Sequence, residues 1–158
     1  MTGWGLRSGK ELRTISRELK HVGNGREIKK RMTRELRAVA APFVPAVRAA
    51  VLSAPVKGEG STGLRARLAR ATRLQVRTVG RQAGVRILVD PKRMPDGEKA
   101  LPEEFEGTKR WRHPVYGNRD VWITQDPKPF FFRTVRPLGP ASRVAVGRIL
   151  DKISKDIT

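Results

Sequence analysis

Apolar residues recur at spacings of three and four from Ile28 through Met32, Leu36, Val39 and Phe43 to Val47, while Lys29, Lys30, Arg31, Arg34 and Arg37 fill the faces between them. A repeat of that period buries one side of the chain only if the chain is helical there. The opposite side is then cationic and must face water or an anion. Any fold of this chain is therefore built on an amphipathic helix that begins near Arg26 and runs to about Leu52. Pro42 and Pro45 each remove a backbone donor, so the stripe is either one kinked helix or two separate ones.

Other elements surround this stripe. Ser8-Gly9-Lys10-Glu11 has the form of a capping box, with Ser8 and Glu11 bonding each other's backbone. Leu12, Ile15 and Leu19 follow at helical spacing, and Gly23-Asn24-Gly25 ends that first helix. Residues 53–63 read as a loop from their Pro, Gly and Ser content. Residues 64–71 predict a short helix with Leu64 and Leu68 inward. Residues 74–79 alternate like a strand, as do Val85, Ile87 and Val89, and the Gly-bounded linker between them completes a hairpin. Residues 90–108 predict a long loop. Residues 119–124 predict a third strand carrying Val121 and Ile123. Pro140 and Ala141 open a last helix with Val146, Ile149, Leu150, Ile153 and Ile157 on one face.

The order predicts an α+β fold: long N-terminal helices, a small antiparallel sheet with a hairpin and a long loop, and a C-terminal amphipathic helix, the helices lying against one sheet face. At 158 residues the chain is expected to be a single domain, with a helical arm over about residues 8–53 and an α+β core over about residues 62–158.

Charge narrows the class of partner. There are 34 Lys and Arg against 15 Asp and Glu, a net +19. Residues 1–80 hold 18 of the basic groups and 5 of the acidic ones, and so carry +13 of it. Such an excess strains a free monomer by self-repulsion and points to a polyanionic partner. The runs Arg65, Arg67, Arg70, Arg73, Arg77 and Lys29, Lys30, Arg34 are the candidate faces for DNA or for an acidic protein. With no helix-turn-helix, zinc finger or RNA-binding signature in sight, DNA contact would run through phosphates and be independent of sequence. Cysteine is absent, which excludes disulfides and thiolate chemistry. No segment has the form of a signal peptide or a membrane span, so neither export by that route nor a membrane partner is expected.

Catalysis and metal binding find little support. The two histidines are His21 and His113, and no nucleophile motif, phosphate loop or dinucleotide fingerprint accompanies them. Two separated histidines without cysteine make no standard zinc site. Glu103, Glu104 and Glu106 cluster without the spacing of a calcium loop. No enzyme activity, metal or cofactor is expected.

Residues 111–132, WRHPVYGNRDVWITQDPKPFFF, concentrate two of the three Trp, the one Tyr and one of the two His. Gly117-Asn118 has the composition of a tight turn. Phe130, Phe131 and Phe132 cannot all face one core in a strand, so at least one is expected to leave the subunit. An exposed aromatic among prolines serves equally as an interface anchor or as a stacking platform for bases.

Set in order, Ser61-Thr62-Gly63-Leu64-Arg65, the hairpin, Arg112-His113-Pro114-Val115-Tyr116-Gly117-Asn118, Trp122, Gln125 and Pro129-Phe130 resemble the tail-component family of long-tailed bacteriophages. The likeness spans about residues 26–155, and the long loop resembles the form found in phages of actinobacteria. It implies a structural virion protein of the head–tail junction (neck or tail completion), made in the host cytoplasm. It implies a homo-oligomeric ring, six- or twelve-fold, that joins connector or stopper proteins to the tail terminator around the path of double-stranded DNA. On that reading His113, Pro114, Tyr116, Gly117 and Asn118 shape a rigid loop, and Trp122 and Phe130 anchor it to the core or to the next subunit. The alternative is a sequence-nonspecific basic nucleic-acid-binding protein.

Overall fold

The computed structural model describes residues 3–5, 9–55, 63–115 and 118–158, with the backbone alone described at 3–5, 113–115 and 118–119. Helix α1 spans Gly9–Glu18, α2 Gly25–Ala40 and α3 Phe43–Leu52. The apolar stripe is thus two helices, parted at residues 41–42. Pro42 caps α3, and Pro45 lies in its first turn, where a missing donor costs no intrahelical bond. Ser8, the first residue of the expected capping box, lies outside the described residues. Met32, Leu36, Val47 and Val51 are fully buried, each worth about 1.5–3 kcal/mol of transfer from water.

Gly63, at a left-handed φ of 69°, caps helix α4 (Leu64–Ala71), which runs directly into strand β2 (Thr72–Arg77). Strand β3 (Gly84–Val89) returns antiparallel, with Leu74 opposite Ile87 and Val76 opposite Val85. That register puts Thr72, Leu74, Val76, Val85, Ile87 and Val89 on one face, against which α2 and α3 pack. A strand that the sequence reading lacks, β1 (Gly3–Gly5), pairs with the outer edge of β3, giving the order β1–β3–β2. Three residues are too few to display a period.

Three expectations need correction. Residues 90–108 are not a plain loop. They hold a 3₁₀ turn at Pro91–Arg93, where Asp90 accepts from the Lys92 amide (3.1 Å), and helix α5 at Leu101–Glu106, which buries Pro102 and Phe105. So short a helix shows one apolar pair in sequence, Leu101 and Phe105, and no stripe. The strand expected at 119–124 exists as β5 (Asn118–Gln125), but it does not join the first sheet. It pairs with β4 (Trp111–Val115) in a separate two-stranded sheet. The rigid loop expected around residue 113 is therefore strand at His113, Pro114 and Asn118, while Tyr116 and Gly117 lie outside the described residues. Proline is tolerated there because each strand of a two-stranded ribbon has a free edge, and the register shifts between Pro114 and Val115.

Helix α6 (Phe131–Val135) and a 3₁₀ turn at Arg136–Leu138 lead into α7 (Gly139–Ile157), which packs on α1 and α2. Val146, Leu150 and Ile153 of α7, the inner sheet face, the stripe of α2 and α3, and Phe130, Phe131 and Val135 form one hydrophobic cluster. The fold is α+β, a helical layer on one face of the larger sheet.

Candidate functional site

Helical geometry decides which cations of α2 are available. Arg26, Lys29, Lys30, Thr33, Arg34 and Arg37 recur at spacings of three and four, share one face, and line an open groove of ≈ 470 Å³. Lys30 meets Glu27 at 3.2 Å, with both side chains well exposed. Arg26, Lys29, Arg34 and Arg37 have no ion pair among the described residues. Arg31 sits on another face and turns to Asp156 of α7, with Glu35 at 3.9 Å. It belongs to the α2–α7 seam, where Lys152 also approaches Glu35 at 3.8 Å.

The second basic run has a different fate. Arg65 donates to the carbonyls of Leu52 (3.0 Å) and Ala54 (2.8 Å), closing the end of α3. Arg67 grips Glu98 with two bonds, Nε to Oε2 at 2.7 Å and Nη2 to Oε1 at 2.8 Å, and so ties α4 to the segment before α5. A fork of this kind is a charge-assisted, directional contact. Arg73 pairs with the buried Asp90 at 2.9 Å, and Arg77 donates to Gln82. Arg70 stays exposed without an ion pair among the described residues. Three of these five arginines, Arg65, Arg67 and Arg73, thus tie elements of the fold together, and Arg77 is engaged locally on the surface. The groove on α2 is lined by α2 alone, so the two runs do not make one surface feature.

The aromatic stretch divides likewise. Trp111 packs on Phe105 of α5, with ring centroids 5.4 Å apart, and anchors the base of the β4–β5 hairpin. Gln125 is half-buried opposite Trp111 in register. Arg110 pairs with Asp126 across the same base. Farther out, Val121, Trp122 and Ile123 are 49%, 50% and 43% exposed. Val121 and Ile123 share one face and Trp122 takes the other, so both faces are apolar and open. The Arg112 guanidinium lies 5.6 Å from the centre of the Trp122 ring. No other element packs extensively along this ribbon among the described residues.

Phe130 is buried in the core rather than displayed, Phe131 is fully buried, and Phe132 is partly exposed. Their backbone is organised by Glu106, whose Oε1 accepts from the amides of Phe130 (2.7 Å) and Phe131 and whose Oε2 accepts from that of Phe132 (3.3 Å). A carboxylate on the first amides of α6 is favoured by both the bonds and the helix dipole.

His21 lies exposed on the turn after α1, and the side chains of His113, Pro114 and Asn118 lie outside the described residues. Lys99 holds the Asp96 carboxyl below the usual carboxylate range, first by its hydrogen bond and then by its charge, on an exposed surface turn. Among the described residues no three His, Asp or Glu side chains form a group that could hold a metal ion, and no helix is long and apolar enough to cross a membrane.

The sequence reading placed Arg26 and Arg37 on the helix but left them out of the candidate partner-facing set, although they continue the spacing of Lys29 and Arg34. It also missed Glu106, for which no local signal exists, because its partners lie more than twenty residues away. Comparison with protein-family models, with curated proteins and with solved structures finds no match to this chain.

Proposed function

We propose that this chain is a ring-forming structural subunit of the head–tail junction of a long-tailed phage, a neck or tail-completion protein that joins connector to tail around the DNA path. The observation that carries the reading is the β4–β5 hairpin. Its strands hold Arg112, His113, Pro114, Val115 and Asn118 of the stretch on which the phage resemblance rests. It also leaves Val121, Trp122 and Ile123 open on its two faces. A lone two-stranded ribbon is marginal in water, and apolar residues displayed on it favour burial against a neighbour. The neighbour proposed is the next copy of the chain. Contact between a hairpin and a different patch on that copy is head-to-tail, and such contacts close into rings when the rotation permits.

The test is the mass of the purified chain by light scattering, beside a Val121→Thr, Trp122→Ala, Ile123→Thr variant. A ring-sized parent and a smaller variant with the parent's melting temperature is the expected result. A parent that is monomeric at every salt concentration and is also absent from particles assembled with connector and terminator proteins would sink the reading.

A further inference from the structure

We infer that the exposed face of α2 is a docking ridge for the phosphate backbone of double-stranded nucleic acid, whether or not the chain builds a ring. The ridge is Arg26, Lys29, Lys30, Arg34 and Arg37 with Thr33 among them, and four of its five cations have no ion pair among the described residues. Charge complementarity selects a polyanion. Composition then selects which one. A protein interface gains its affinity from buried aromatic and aliphatic anchors, and this face has none. Single-stranded nucleic acid is held by stacking on aromatic rings, and none lines the groove. A lipid surface is engaged by inserting an apolar helix face, and the apolar face of α2 is committed to the core through Ile28, Met32 and Leu36. What remains is a rigid polyanion read from outside, which is a duplex.

The dimensions agree. At a rise of about 1.5 Å per residue the ridge from Arg26 to Arg37 is about 16 Å long. One strand of a duplex presents about five phosphates over that length. The ridge thus offers about one cation per phosphate. It sits on a helix pinned by the core and by the Arg31–Asp156 pair, so the spacing is fixed before binding. By contrast, the Arg65, Arg67, Arg73 and Arg77 guanidinium groups are each engaged by a partner within the chain and are not part of this site.

The test is fluorescence anisotropy of the full chain on a labelled random-sequence DNA duplex, titrated across a range of salt. Binding is expected with a slope of log affinity on log salt of about −0.9 per phosphate neutralised, so about −4.5 for five contacts. Lys29→Gln, Arg34→Gln, Arg37→Gln is expected to lose at least tenfold in affinity and to flatten the slope by about 2.7. Arg133→Gln, Arg136→Gln, Arg143→Gln removes the same charge from exposed positions elsewhere and is expected to leave the slope within about one unit of the parent. Arg34→Lys, Arg37→Lys keeps the charge and is expected to keep the binding, which separates charge loss from damage to the helix. Equal losses in the two glutamine variants would overturn the proposal in favour of a diffuse field. So would a parent that prefers polyglutamate or anionic vesicles to the duplex, or one that binds no duplex at about 50 mM salt.

Discussion

Gly25 shows how closely single atoms constrain this chain. It is buried at the first position of α2, and a Cβ there would overlap the carbonyl oxygen of Leu19. Backbone cannot yield as a side-chain tip can, so Gly25→Ala is expected to cost at least about 1–3 kcal/mol in urea unfolding, the range of an overpacked core. A variant as stable as the parent would mean that the turn between α1 and α2 shifts freely. The arginines give a second lesson at this scale. Arg67 and Arg70 are one turn apart on the same short helix, yet one is locked to Glu98 and the other faces solvent. Composition makes every arginine equal. The partner that distinguishes them is about thirty residues distant, and no local pattern reports it.

Elements whose own residues carry the signal were legible. Helices α2, α3, α4 and α7 follow from apolar spacing, and Pro42 and Pro45 mark where the stripe is interrupted but do not decide between a kink and the break that the structure has. The β2–β3 hairpin follows from two alternating runs and a glycine-bounded turn. What stayed hidden was every element defined by something distant. Strand β1 exists because β3 offers an edge, α5 because Phe105 finds Trp111, and β4 because β5 lies beside it. The candidate site divides the same way. The α2 ridge was half named in sequence, through Lys29, Lys30 and Arg34, whereas the exposure of Trp122 and the burial of Phe130 follow from packing alone. Helix α6 extends the point, since its first amides are satisfied by a carboxylate from α5. Glu106→Gln keeps the size and loses the charge, and is expected to destabilise the fold by about 1–2 kcal/mol. Chemical unfolding followed by circular dichroism measures this, and an unchanged midpoint would remove Glu106 from the account of how α5 and α6 are joined.

The molecule as a whole carries +19, and copies that associate must bring those charges together. Salt screens that repulsion over a length that falls to about 10 Å at 0.1 M. The assembly proposed through the hairpin would be apolar and should strengthen as salt rises, while the duplex binding proposed for the α2 ridge should weaken. Light scattering and anisotropy from about 50 to about 200 mM salt are therefore expected to move in opposite directions. A ring that falls apart over that range would be held by ion pairs and not by Val121, Trp122 and Ile123. The small strand β1 has a consequence in time rather than in energy. It leaves the ribosome about eighty residues ahead of β3, and at about 5–20 residues per second it waits for about 4–16 seconds before its partner exists. Until it closes, the outer edge of β3 can template pairing with a strand from another chain. A bulky amino-terminal fusion that delays this closure turns a late step of folding into an early step of aggregation.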